Sequence, residues 1–144
     1  MDETERRAIE ADCARLVARY AADADFGRFD RAAETYATDG ELTIRAETYR
    51  GRAAIAGRLA DKPAGEVTRH VLGPTLVEVL DAGAATGVTY VTLYRGQAAD
   101  TPGPLPLAPP LLVGHYEDRF VRTGEGWRFA ARHLRVTFRR RDPA

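Results

Sequence analysis

The chain has 144 residues, with 21 Lys+Arg against 21 Asp+Glu and a formal net charge of +0. At 44% hydrophobic and 29% charged, it has the composition of one folded domain able to bury its own core, not of a disordered segment. The single cysteine, Cys13, excludes an internal disulfide framework and a multi-cysteine zinc site, and the balanced charge leaves no electrostatic footprint for nucleic acid or an anionic membrane.

Asp2, Glu3, Glu5, Arg6 and Arg7 open the chain with no apolar run behind them. Neither a signal peptide nor a membrane span is expected, and the cytoplasm is the expected location. Ile9, Cys13, Leu16, Val17, Tyr20 and Ala24 recur at spacings of three and four, the pattern of one helix face. Gly27 interrupts it, and Phe29, Ala32, Ala33 and Tyr36 form the buried stripe of a shorter second helix, closed by an Asp39-Gly40 turn. Glu41 to Arg45 reads as a short strand, and Gly51 to Ala60 as a third helix ending at the Lys62-Pro63-Ala64-Gly65 loop. Lys62 is the only lysine, so a Schiff-base enzyme would have to use it.

From Val67 the period changes to two. Val67 to Leu80 is a long strand, bent at Gly73-Pro74 because proline cannot donate to a ladder. Asp81-Ala82-Gly83 turns it into a strand over Ala85 to Arg95. Gly96 to Pro110 holds five of the eight prolines and reads as a long loop, a lid over a cavity or part of a dimer contact. Leu111 to Arg122 and Trp127 to Phe138 are the last strands, joined at Gly124-Glu125-Gly126. One domain over 1–138 and a charged tail over 139–144 are expected, with no repeat, no phosphate-binding loop and no metal-ligand spacing. Helices segregated to one side of a mostly antiparallel sheet make an α+β domain. When such a sheet curves strongly over a long first helix, it leaves a cone with an internal pocket for a small apolar ligand.

Three stretches then carry a resemblance. Tyr20 to Asp30 followed by Tyr36-Ala-Thr-Asp-Gly40, Tyr49-Arg-Gly-Arg-Ala-Ala-Ile55, and Gly114 to Arg122 with Gly126-Trp-Arg-Phe129 occur in the order and spacing of one family. The chain resembles the SnoaL-like proteins of the cone-shaped superfamily that includes ketosteroid isomerases and nuclear transport factor 2. It is most similar to the scytalone-dehydratase-like branch, over roughly Glu5 to Val136. That branch works with a helix-one tyrosine, a nearby aspartate and a strand histidine, and the resemblance assigns these roles to Tyr20, Asp25 and His70. The position of the ketosteroid isomerase base falls on Ile44, which argues against that reaction here.

The resemblance implies a cofactor-independent dehydratase, isomerase or cyclase acting on a small apolar carbonyl or polyketide-like compound, with no metal. Asp25 and His70 suit one another as a dyad, since a carboxylate on one imidazole nitrogen raises the basicity of the other. Tyr20 would donate to a developing enolate oxygen. Tyr49, Tyr90, His115 and Asp118 are further substrate-binding candidates. His115 and Asp118 face opposite ways on a regular strand, and Asp118 also suits a partner such as Arg132. Two other readings remain open. One is an epoxide hydrolase or epoxide-opening cyclase using Asp25 with His115 or Asp118. The other is a non-catalytic small-molecule-binding module. A homodimer through the outer sheet face is expected.

Overall fold

The computed structural model describes residues 1–141; Asp142, Pro143 and Ala144 of the expected tail lie outside the described residues. Helix α1 (Glu3–Asp25) starts at a reciprocal cap. The Asp2 carboxylate accepts from the Glu5 amide at 2.8 Å, and the Glu5 carboxylate accepts from the Asp2 amide at 3.2 Å. Both bonds satisfy donors that a helix start otherwise leaves unpaired. The expected stripe from Ile9 to Ala24 is its buried face. Gly27, at φ 76°, turns the chain into α2 (Phe29–Ala33).

Here the structure differs from the expected order. Tyr36 is not the end of α2 but the start of strand β1 (Tyr36–Ile44), and Asp39-Gly40 lies inside that strand rather than in a turn. The glycine is required for proximity: a Cβ at Gly40 would stand 2.9 Å from the Phe129 carbonyl oxygen. The pairing with the last strand shifts register between Tyr36 and Glu41, so the chain bends where a turn signal would be read. A short strand, β2 (Glu47–Arg50), follows and pairs back on β1, ahead of helix α3 (Arg52–Ala60). Two strands therefore precede the third helix.

Four long strands complete the chain: β3 (Glu66–Asp81), β4 (Ala84–Gln97), β5 (Leu112–Thr123) and β6 (Gly126–Arg139). The described residues thus form three helices and a six-stranded sheet in the order β2-β1-β6-β5-β4-β3, antiparallel except where β1 runs beside β6. β3 breaks register between Leu72 and Thr75, at the expected Gly73-Pro74 bend, and β5 and β6 shift twice more. Such bulges bend strands, and the curved sheet wraps α1, which contacts β3, β4 and β6. Period-two alternation points Ala85, Thr89 and Val91 of β4, and Leu112, Tyr116 and Phe120 of β5, toward the helices. There they join Tyr20, Tyr36 and Phe129 in the core.

The loop from Ala98 to Leu111 is tied at both ends by backbone bonds, Ala98 to Gly65 at 2.8 Å and Leu111 to Leu93 at 2.7 Å. Leu105 to Ala108 lie beside Val67, Arg69 and Tyr94, whose side chains are out of phase with the inward-facing Thr68 and Leu93. The loop packs against the outer face of the sheet and does not close over the cavity, and Leu107 is 86% exposed.

Candidate active site

The end of α1 docks on the start of β3, and this contact builds the site. Asp25 is the last residue of the helix, while Thr68 and His70 sit two apart on the inward face of the strand. The Asp25 carboxylate accepts three hydrogen bonds. Thr68 Oγ1 donates at 2.9 Å and the His70 backbone amide at 2.8 Å, and His70 Nδ1 stands at 2.6 Å. Side-chain exposure is 6% for Asp25 and 14% for His70, so the pair is largely desolvated. Burial alone would push the Asp25 carboxyl up. The bond to the His70 ring, the imidazole charge, the His70 amide and the Thr68 hydroxyl outweigh burial and hold it below its ordinary value. A carboxylate on Nδ1 fixes the tautomer with the proton on that nitrogen and leaves the Nε2 lone pair for whatever the imidazole meets.

His70 lines a cavity of about 300 Å³ whose inner wall includes Tyr20, Ala24, Leu93 and Tyr116. Ile44 also lines it, an apolar side chain at the position matched to the ketosteroid isomerase base. Beneath the tyrosines lies a fully buried ion pair: Arg132 Nε and Nη2 donate to the two Asp118 oxygens at 2.8 and 3.0 Å. The guanidinium carbon stands 3.7 Å from the Tyr116 ring centroid, 4.5 Å from that of Phe129 and 4.7 Å from that of Tyr20. Burial raises the Asp118 carboxyl, an effect that Arg132 opposes without cancelling, and the same pairing keeps Arg132 a cation. Burial also raises the hydroxyls of Tyr20, Tyr36 and Tyr116, so all three are neutral donors at physiological pH.

The structure places Tyr20 and His70 on the wall of one cavity, with Asp25 bonded to the far side of the His70 ring. It takes the other candidates elsewhere. Tyr90 is 72% exposed on the outer face, paired in register with His115, because Thr89 and Val91 occupy the inward positions. His115 faces Glu117 at 3.8 Å on that same side. The Tyr49 hydroxyl donates to Glu47 at 2.8 Å, and the ring lines a separate surface hollow rather than the cavity. Asp118 does point inward, but Arg132 occupies both of its oxygens.

Sequence reasoning missed Thr68, which was readable, since it lies two residues before His70 and shares its face. It anticipated Arg132 as a partner of Asp118, and the structure forms that pair. The aromatic rings around the guanidinium were not readable, because the register shift between Arg119 and Phe120, opposite Ala131 and Phe129, carries β6 out of strict alternation just before Arg132. Among the described residues, no group of three His, Cys, Asp or Glu side chains could hold a metal, and no helix is long and apolar enough to cross a membrane.

A curved six-stranded sheet wrapped on a long helix defines an α+β cone of the NTF2-like type. The chain belongs to the SnoaL-like domain family, whose profile matches residues 5–133. No curated protein matches it. Among solved structures it is similar to an NTF2-like protein with a cystatin-like fold from Novosphingobium aromaticivorans, at 27% identity over 91% of this chain and 84% of that one, with a TM-score of 0.72. A putative scytalone dehydratase from the same organism shares 23% identity over 94% and 85%, also at a TM-score of 0.72. The hexachlorocyclohexane dehydrochlorinase LinA-type3 from Novosphingobium barchaimii shares 18% over 96% and 93%, at 0.80. Likeness at 18% and 23% identity speaks to the fold alone.

Proposed function

We propose that this protein is a cofactor-independent lyase or isomerase that removes a proton α to a carbonyl of a small, largely apolar metabolite. The observation that carries this reading is the Asp25–His70 pair: a 2.6 Å contact to Nδ1, a carboxylate anchored by two further donors, and an imidazole on the cavity wall. Nε2 takes the α-proton, the electron pair of the C–H bond moves to the carbonyl oxygen as an enolate, and the Tyr20 hydroxyl donates to that oxygen. In an isomerase, the imidazolium returns the proton to another carbon. In a dehydratase it protonates a β-hydroxyl, which leaves as water while the enolate collapses to an enone. A polyketide-type cyclisation would use the same enolate as its carbon nucleophile.

An epoxide-opening reaction fits less well. Its acid would have to be His115, which is on the outer face, or Asp118, whose oxygens are both taken by Arg132. Val71, Leu76, Val88 and Tyr90 are exposed large side chains on the outer face of β3 and β4, and a second copy covering them would give the expected homodimer, readable as mass by light scattering.

Proton NMR of hydroxy-ketones and enones in deuterated buffer tests the chemistry. Wild type is expected to exchange α-protons or eliminate water, and His70→Ala to lose this while keeping its melting temperature within a few degrees. A collapse of stability in His70→Ala would make His70 a structural residue. Ligand binding without exchange of any ketone would make the protein a binding module.

A further inference from the structure

The rim of the cavity is cationic in a way the proton-transfer chemistry does not use. Arg45, Arg58, Lys62, Arg95 and Arg139 line it, against the carboxylates of Asp61 and Glu66. That is an excess of three positive charges around an opening whose inner wall is tyrosine and aliphatic side chains. Glu66 is taken by Arg95 at 3.7 Å. Arg58 and Lys62 instead lie over rings. The Arg58 guanidinium carbon is 5.9 Å from the Tyr49 centroid and Lys62 Nζ is 5.2 Å from that of Phe29. Each ring holds a cation at the opening without neutralising it, since a cation–π contact leaves the charge in place.

Arg45 sits in the two-residue β1–β2 turn between the paired Ile44 and Glu47, where such a hairpin calls for its φ of 57°. Arg45 and Arg58 also share the neighbouring surface hollow, so the positive region extends from the cavity rim onto the surface beside it. Low-dielectric walls focus the field of such a ring into the opening.

We propose that the cavity takes an amphipathic organic anion, with its apolar body against Tyr20, Leu93 and Tyr116 and a carboxylate or equivalent acid group held at the rim by Arg58, Lys62 and Arg45. The inference rests on the reading of this cavity as the substrate site, and it narrows the substrate from any apolar carbonyl compound to a keto or hydroxy acid. The charged group binds away from the reacting carbon: His70 and Tyr20 work at the inner wall, and the cations hold the acid end at the opening.

A matched pair of fluorescent probes tests this without a known substrate. Anilinonaphthalene sulfonate and phenylnaphthylamine share one aromatic body and differ by the sulfonate. Wild type is expected to bind the sulfonate probe more tightly. Arg58→Gln with Lys62→Gln should weaken it about tenfold or more, the scale of losing hydrogen bonds to charged groups, and leave the neutral probe unchanged. Raising salt toward about 0.3 M shortens the screening length and should weaken only the sulfonate probe. Leu93→Trp, which fills the cavity, should weaken both. Equal losses for both probes in the Arg58/Lys62 variant, or sulfonate binding that ignores Leu93→Trp, would overturn the proposal. A protein that holds the anion in this way yet exchanges no substrate proton would keep the rim assignment and lose the catalytic one.

Discussion

Asp25→Asn removes a charge while keeping the side-chain shape, and the bonds around the carboxylate determine how the site responds. The carboxylate presents acceptors to three donors, at 2.6, 2.8 and 2.9 Å. An amide has one oxygen and an NH₂ group, and the His70 backbone amide can only donate, so the oxygen stays on it. The Thr68 hydroxyl and the imidazole, which share the other position, can both turn round to accept. The arrangement of least cost therefore aims the amide nitrogen at Nδ1, which becomes an acceptor, and moves the ring proton to Nε2. The base then faces the cavity already protonated, and proton abstraction should fall by about 10²–10⁴-fold, the usual contribution of a placed general base. Stability should fall by about 1.5–3 kcal/mol at neutral pH, the scale of hydrogen bonds to a charged group. The folded state holds the Asp25 carboxyl below its ordinary value. Its contribution is therefore complete above the unfolded value, near pH 4, and is lost as pH falls through the lower folded value. The stability gap between wild type and Asp25→Asn should narrow as pH falls below about pH 4. Urea unfolding across pH measures that gap, nitrogen NMR of the imidazoles reports the tautomer, and exchange in deuterated buffer gives the rate. An unchanged tautomer with an unchanged rate would refute the dyad.

Tyr20→Phe should keep the fold, because the ring packs edge to face against Tyr36, Tyr116 and Phe129, while slowing exchange by about 10²–10³-fold if its hydroxyl steadies the enolate. Calorimetry and the exchange assay separate those two effects. Removing one member of the buried pair, by Asp118→Asn or Arg132→Met, should cost about 3–5 kcal/mol, whereas the double variant Asp118→Leu/Arg132→Met should recover most of it in urea unfolding. Gly40→Ala should cost roughly 1–3 kcal/mol by the same assay, because its Cβ meets backbone oxygens of Phe129 and Ala37 at 2.9 and 3.0 Å. Cys13 is fully buried and its thiol is pushed up to about 12, mainly by burial, so it should resist iodoacetamide until the protein unfolds.

Elements with one dominant periodicity were legible in the sequence, and elements governed by a distant neighbour were not. The α1 stripe from Ile9 to Ala24 and the four long strands follow from spacing alone, to within a residue or two at most ends. Tyr36 and Gly40 mislead because their local signals are those of a helix stripe and a turn. What places them in a strand is the approach of β6, which is 90 residues further along the chain. Tyr90 and His115 failed as pocket residues through parity: on β4 and β5 every second side chain faces solvent, and nothing local says which. Once His70 is known to face inward, the pairing of His70 with Leu93 and of Tyr90 with His115 settles the faces of both strands.

Asp25 and His70 were found because the family resemblance supplied two positions 45 residues apart, and the structure shows why that pairing is robust. All three bonds to the carboxylate come from β3 residues, the His70 backbone amide, the His70 ring and the Thr68 hydroxyl on the same face. The carboxylate is thus fixed to the strand that carries its own imidazole, and the geometry of the dyad depends mainly on one docking contact, the end of α1 on β3. The Arg132–Asp118 pair and its aromatic rings sit deeper, bracing α1 through Tyr20 from the other side. A helix held at Tyr20 by the core and at Asp25 by the strand has little freedom to slide along β3, and sliding is the motion that would separate Asp25 from Nδ1. The buried cation, costly in isolation, is expected on this geometry to position the site above it. The double variant that replaces the pair with Leu and Met tests this. If its stability recovers while the proton-transfer rate stays low, the pair positions the site; if rate and stability recover together, its role is packing alone.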